Sequence, residues 1–188
     1  MGAELISVSE SPGLETALAL ARELEQQGIG KVLDQFSSRD NPDSHYRATG
    51  PELWNDCEGT VTHFVCSMGT TGTIVGVGKY LKEQDSNVQV IGVRPIQGDE
   101  ILGLQNWETG WEPEIYEPEL IDNIMEVTLE LAQETARRMI HEEGLFVGIS
   151  SGAAVAAALR LCRRLEKATV ATIIYDGGAR YISAGFFD

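Results

Sequence analysis

Apolar residues along this chain follow two alternating rhythms. Leu14, Ala17, Leu18, Ala21 and Leu24 recur at helical spacing behind Ser11, so a helix is expected over Ser11–Gln27, ended by Gly28 and Gly30. Shorter runs rich in β-branched and aromatic residues predict strands at residues 3–8, 31–36, 61–66, 88–93, 124–127, 145–149 and 169–175. Further helices are expected over residues 46–56, with Pro51 complicating the middle, and over 73–84, 129–143 and 152–165. A polar turn-rich loop covers residues 37–43. A long irregular stretch, residues 95–122, holds Trp107, Trp111, Pro113 and Pro118. A loop of that length in a compact domain is usually functional.

Strand and helix take turns, which predicts an α/β fold: a doubly wound parallel sheet with helices on both faces. Its connections are expected to be right-handed crossovers. Ligands in such sheets bind at the carboxyl ends of the strands. The turns after Cys66, Val93, Ile149 and Tyr175 are therefore the places to look for chemistry.

The first of these turns reads Ser67-Met68-Gly69-Thr70-Thr71-Gly72-Thr73, between a strand and a helix. Its glycines let backbone N–H groups approach an anion, the helix N-terminus adds partial positive charge, and the threonines add donors. Phosphate binding and a merely tight turn both fit this pattern. No Gly-Lys-Ser/Thr follows, so it is not a Walker A loop, and the leading Gly-x-Gly of a dinucleotide fingerprint is missing.

A second turn, Gly148-Ile149-Ser150-Ser151-Gly152, has the G-x-S-x-G form of a hydrolase nucleophile elbow. That reading needs a histidine downstream, and His45, His63 and His141 all lie upstream. Ser150 fits better as a hydrogen-bond donor to a ligand, and Ser150 or Ser151 also fits as a helix cap. At the third turn, Asp176 either touches a ligand or caps the last helix, with the structural role slightly favoured. No His, Cys or acid cluster has metal-ligand spacing, and His141-Glu142 fails H-E-x-x-H because position 145 is leucine.

Composition narrows the setting. The 188 residues suit one domain, or one domain and a fragment of another. The chain carries 29 acidic and 14 basic residues, a net charge of −15, and lacks a basic cluster, which argues against nucleic acid or an anionic membrane as partner. Cys57, Cys66 and Cys162 form no CxxC pair and are expected to be buried thiols in a reducing, cytoplasmic compartment, with Cys66 a core residue. No apolar run approaches the roughly 20 residues of a membrane span.

These turns together resemble the cysteine synthase family (O-acetylserine sulfhydrylases, fold-type II pyridoxal-phosphate enzymes). The run Thr62-His63-Phe64-Val65 followed by Ser67 to Thr73 is similar to the family's phosphate loop, in a form that leans toward the B isozyme. Asp34-Gln35-Phe36, Asn41-Pro42, His45-Tyr46 and Thr49-Gly50-Pro51-Glu52-Leu53-Trp54 agree with it. So do Glu143-Gly144, Gly148 to Val155 and Arg180-Tyr181-Ile182-Ser183, so the resemblance runs over nearly the whole chain.

The resemblance implies that Gly69, Thr70, Thr71, Gly72 and Thr73 bind the phosphate of pyridoxal 5'-phosphate, that Ser150 hydrogen-bonds the pyridine nitrogen, and that Gln35 faces the substrate. A neutral hydroxyl at the nitrogen suits β-elimination better than transamination. The implied reaction makes L-cysteine from O-acetylserine and sulfide or another sulfur donor by β-replacement, in a homodimer when full length. Residues 1–40 are expected to be a remnant of a smaller N-terminal domain and 41–188 the larger cofactor-binding domain.

Departures matter as well. The family's upstream Ser-x-Lys-Asp and Thr-Ser-Gly-Asn-Thr-Gly segments do not occur, and Lys31, Lys79, Lys82 and Lys167 lack the Schiff-base context. The expectation is an N-terminally truncated chain, with Met1 an internal methionine, negligible synthase activity on its own and exposed apolar surface. Gln105-Asn106 replaces basic residues common in the B branch, and Ala179 replaces an acidic position. The competing functional readings are a non-catalytic fragment that binds the cofactor or a partner, and a serine hydrolase using Ser150.

Overall fold

The structure is a computed structural model and describes residues 2–8, 14–107 and 112–186. The expected Ser11 cap and Trp111 lie outside the described residues. The chain divides into two compact units, Met1–Asp34 and Gln35–Asp188.

In the first unit, α1 spans Leu14–Gln26. The strands expected at residues 3–8 and 31–36 do not form. The Val32 N–H is instead taken by the Glu25 carboxylate at 2.9 Å, a side-chain partner in place of a ladder.

The second unit carries a four-stranded parallel sheet, ordered β3-β2-β1-β4, from β1 (His63–Ser67), β2 (Gln89–Pro95), β3 (Asn123–Val127) and β4 (Val170–Thr172). Its strand residues alternate between two cores, as the two-residue period of a strand requires. Phe64, Cys66 and Val90 pack on Ile74, Val77 and Leu81 of α4 (Gly72–Gln84). Val65, Ile91 and Val93 face the opposite way, toward Ala132 and Ala136 of α5 (Leu129–Glu143) and Ala153, Ala156 and Ala157 of α6 (Ile149–Cys162). Helices thus cover both faces, as in a doubly wound sheet. Alanines and Gly152 let α5 and α6 approach closely: a Cβ at Gly152 would stand 2.1 Å from the Ala132 carbonyl oxygen.

The expected 46–56 helix begins earlier and breaks into pieces: α2 (Asp40–Ser44), a π turn (His45–Thr49) and α3 (Gly50–Asp56). Pro51 sits in the first turn of α3, where its missing N–H costs little. The loop expected at 37–43 therefore yields its last residues to α2.

The strand expected at residues 145–149 is also absent. Val147 makes one antiparallel bridge to Gly177, and Ile149 already belongs to α6. An apolar run of this length does not by itself distinguish a strand from a buried helix start. Residues 96–122 are irregular where described, apart from a short 3₁₀ turn at Pro118–Leu120. Leu145, Phe146, Ile174 and Ile182 are exposed. Of the thiols only Cys66 is buried; Cys162 is exposed and Cys57 half-buried, which corrects the expectation for those two. Among the described residues no helix is long and apolar enough to cross a membrane.

Candidate functional site

β1 ends at Ser67, and the chain turns sharply into α4. Thr71 makes that turn in the left-handed conformation, at φ 72°, a position that L-residues other than glycine seldom adopt. The Thr71 side chain makes no capping hydrogen bond, and the Gly72 N–H has only a long 3.3 Å bond to Thr70 Oγ1. Thr71 is 2% exposed, and its Oγ1 is buried with no hydrogen-bond partner. Buried hydroxyls are almost always satisfied, so this one marks a place where a partner from outside the protein fits.

The loop closes over a cavity of about 280 Å³, lined by Ser67, Gly69, Thr70, Thr71, Thr73, Gly103, Ser150, Tyr175, Asp176 and Arg180. The chain ends that meet here come from the carboxyl side of the sheet, as the topology requires. Gly69 and Gly103 touch: a Cβ at Gly69 would lie 2.5 Å from the Gly103 carbonyl oxygen. The Gln105 N–H donates to the Met68 carbonyl at 2.8 Å, fastening the long 96–122 segment to the phosphate-loop candidate.

The second turn lies on the same cavity. Ser150, 5% exposed, sits in the first turn of α6, and Ser67 Oγ donates to its carbonyl at 3.0 Å. Asp176 caps this helix from the end of the β4 segment. Its carboxylate accepts from Ser150 N at 3.2 Å, Ser151 N at 3.0 Å, Ser151 Oγ and the Tyr181 hydroxyl. Burial pushes the Asp176 carboxyl up, but the hydrogen bonds from Ser151 and Tyr181, with smaller ones from Ser150, outweigh it and hold the group below its ordinary 3.8. Burial, and after it the same contact with Asp176, push the Tyr181 phenol upward.

Of the residues singled out in the sequence, Gly69, Thr70, Thr71, Thr73 and Ser150 line the cavity, with Asp176 beside them. Gly72 is not on the lining; a Cβ there would collide with Asn41, so only glycine lets the Asn41 amide pack against this turn. Gln35 is not on the lining; its carbonyl accepts from Asn41 Nδ2 at 2.7 Å, and the same amide reaches Thr70 Oγ1 at 3.1 Å. Gly103, Tyr175 and Arg180 join the lining without having been singled out as site residues. For Tyr175 and Arg180 the position after the last strand was the available signal. Gly103 lies in the irregular stretch, where no periodicity points to it.

Cys66 lies fully buried beneath the loop. Burial pushes its thiol up to about 12, against the opposing hydrogen bond that the Tyr175 hydroxyl donates to Sγ at 3.1 Å. A thiol held this way is a packing group.

The neutral cavity wall of glycines, threonines and a helix N-terminus at one side, and a serine hydroxyl at the other, fits a phosphate-bearing ring cofactor. Residues 1–176 match the pyridoxal-phosphate dependent enzyme family, and the chain belongs to that family. It is 50% identical to cysteine synthase B of Pseudomonas aeruginosa over 187 residues, covering 100% of this chain and 62% of that protein. Cysteine synthase B of Escherichia coli is 46% identical over 186 residues, covering 99% of this chain and 61% of that protein. Among solved structures, cysteine synthase of Entamoeba histolytica superposes with a TM-score of 0.87 at 30% identity, over 99% of this chain and 58% of that one. O-ureido-L-serine synthase superposes with a TM-score of 0.86 at 31% identity, over 94% of this chain and 58% of that one. The chain therefore spans about three-fifths of the length of these relatives.

Proposed function

We propose that this chain is the C-terminal portion of a pyridoxal-phosphate-dependent cysteine synthase, which makes L-cysteine from O-acetylserine and a sulfur donor by β-replacement. The observation that carries the reading is the buried, unpartnered Thr71 hydroxyl at the start of α4, on a cavity whose other wall is Ser150. Gly69, Thr70, Thr71, Gly72 and Thr73 hold the phosphate, and Ser150 donates to the pyridine nitrogen. Gln35 serves the substrate. When bound, pyridoxal phosphate supplies an electron sink for charge developing at the substrate α-carbon.

The remaining work falls to the protein. The α4 N-terminus and threonine hydroxyls meet the phosphate, on a cavity whose lining also carries the Arg180 cation. Asp176 holds the first turn of α6 and so fixes where the Ser150 hydroxyl stands. That hydroxyl is neutral, so it leaves the ring nitrogen without a full proton, which favours elimination chemistry. In this reading residues 1–40 are the remnant of a smaller N-terminal domain, residues 41–188 form the larger domain, and the complete enzyme is a cytoplasmic homodimer.

Covalent anchorage and α-proton transfer belong, in this reading, to a lysine outside these residues. Among the described residues no lysine lines the cavity. Lys82 pairs with Asp122 at 2.7 Å, and Lys79 lies over the Tyr46 ring. General acid–base catalysis alone is worth about 10²–10⁴-fold. The purified 188-residue chain is therefore expected to bind pyridoxal phosphate reversibly, one per chain, with no borohydride-fixed adduct and negligible cysteine formation. Absorbance titration and mass spectrometry after borohydride check both points. A chain that takes up no cofactor overturns the cradle, and a chain that makes cysteine at a family-like rate overturns the assignment of the lysine elsewhere.

A further inference from the structure

His45 lies outside the cavity lining but one hydrogen bond behind it. It opens the π turn between α2 and α3, and its ring is half-buried. Its Nδ1 lies 2.9 Å from Thr49 Oγ1, and its Nε2 lies 3.2 Å from Thr73 Oγ1. Thr73 is one of the residues that line the cavity. The approach depends on Gly76: a Cβ there would stand 2.2 Å from the Pro42 carbonyl oxygen and 2.8 Å from the His45 Cβ. Only a residue without a side chain lets α4 pass this close to the π turn.

Both ring nitrogens thus meet threonine hydroxyls, and the proton count restricts what the set can do. A neutral imidazole has one donor and one acceptor, and each hydroxyl has one proton. With the proton on Nδ1, Nε2 must accept the Thr73 proton, and Thr73 then turns only lone pairs toward the cavity. That arrangement repels an anion. With the proton on Nε2, Thr49 donates to Nδ1, Thr73 accepts from Nε2–H, and the Thr73 proton is free to point into the cavity. Burial lowers the His45 pKa below its ordinary 6.5, so the neutral ring is the form present at neutral pH.

We propose that His45 is a positioning residue that holds the Thr73 hydroxyl as a donor toward the anion in the cradle, through a Thr49–His45–Thr73 relay. The inference rests on the reading of residues 69–73 as a phosphate cradle. It adds a specific role for a residue that never touches the ligand, and it fixes the tautomer of the ring in the loaded state.

The test uses the 188-residue chain, with pyridoxal phosphate and, separately, sulfate as probes. In His45→Gln the amide nitrogen reaches the Nε2 position, whereas in His45→Asn it reaches only the Nδ1 position and keeps the Thr49 partner. Loss of one neutral hydrogen bond at the cradle is expected to weaken binding of both probes about fivefold in His45→Asn, while His45→Gln stays within about twofold of the wild type. In a Thr73→Val background, His45→Asn should cost nothing further. Nitrogen NMR of the histidine-labelled, cofactor-loaded chain should show His45 protonated at Nε2. Thermal melts of each variant separate misfolding from a binding effect. A purely structural histidine would make Asn and Gln fail alike and would still weaken binding in the Thr73→Val background. Wild type that binds both probes while His45→Asn binds them equally well sinks the relay and leaves the cradle standing. Wild type that binds neither probe sinks both.

Discussion

Two helices begin on the same cavity, and their N-termini are treated in opposite ways. At α6 the protein fills the site itself: the Asp176 carboxylate accepts from the N–H groups of Ser150 and Ser151 and from two hydroxyls. At α4 the Gly72 N–H has only a long 3.3 Å bond to the neutral Thr70 hydroxyl, Thr71 is held left-handed, and its own hydroxyl is buried without a partner. Each helix start carries about half a positive charge, and each can hold one anion well. The chain provides an anion at one and keeps the other open. On the proposed reading the difference divides the two walls: the external phosphate goes to α4, and the neutral Ser150 hydroxyl at α6 is left for an uncharged or weakly basic atom.

The hardest blow to the open end is steric. Gly69→Ala drives a methyl to 2.5 Å from the Gly103 carbonyl oxygen. That oxygen is backbone and has little room to retreat, since the adjoining segment is tied by the Gln105 N–H to the Met68 carbonyl. The expected outcome is loss of detectable pyridoxal-phosphate binding, with stability lowered by about 1–3 kcal/mol. Titration by absorbance and a urea melt read the two effects. A variant that binds normally would mean that the loop tolerates a shape change and is not a built cradle.

A subtler change separates function from stability at the same end. Thr71→Val keeps the shape and removes the orphan hydroxyl. Without ligand the buried polar group is a cost, so the variant should be more stable by about 1 kcal/mol. A hydrogen bond to a charged phosphate is worth more than a neutral one, so affinity for sulfate or pyridoxal phosphate should fall about tenfold. If Val leaves binding untouched, Thr71 is unpartnered for some other reason and the comparison loses its sharpest point.

How much of this was legible in the residues follows from where the constraints lie. The α4 cradle is local: glycines, threonines, a strand before and a helix after stand in one run of sequence, so pattern alone points to it. The sheet and both cores were legible for the same reason, since Phe64 to Cys66 and Val90 to Val93 carry the period that sorts them. The α6 cap is not local. Asp176 reaches Ser151 across 25 positions of chain, and only the fold reveals that it acts as a cap for α6, not for the last helix. The same long-range capture starts α6 at Ile149, where apolar composition reads as strand. His45 escaped for a similar reason: its partners are Thr49, four residues away, and Thr73, 28 residues away. The strands expected at 3–8 and 31–36 have the right composition but no ladder, and composition does not supply a partner.

The closed end gives the mirror image of the Thr71 experiment. Asp176→Asn keeps an acceptor at α6 but removes the charge. The helix start loses a charge-assisted cap, so stability at pH 7 should fall by about 1–2 kcal/mol. The sign with pH follows from the depressed carboxyl: its contribution is full above the ordinary 3.8, and it is lost as the pH falls through the lower folded value. Wild type and Asp176→Asn should therefore differ in melting temperature at pH 7, begin to converge as the pH falls below the ordinary 3.8, and meet only below the lowered folded value. Sulfate affinity at the α4 end should rise, because a negative charge has left the wall of the same cavity. One substitution then raises stability and weakens anion binding, while the other lowers stability and strengthens it. Opposite signs in both columns are what two differently used helix ends require. If both substitutions move stability and affinity in the same direction, the two ends form a single packed unit, and the division of the cavity into an open wall and a filled wall does not hold.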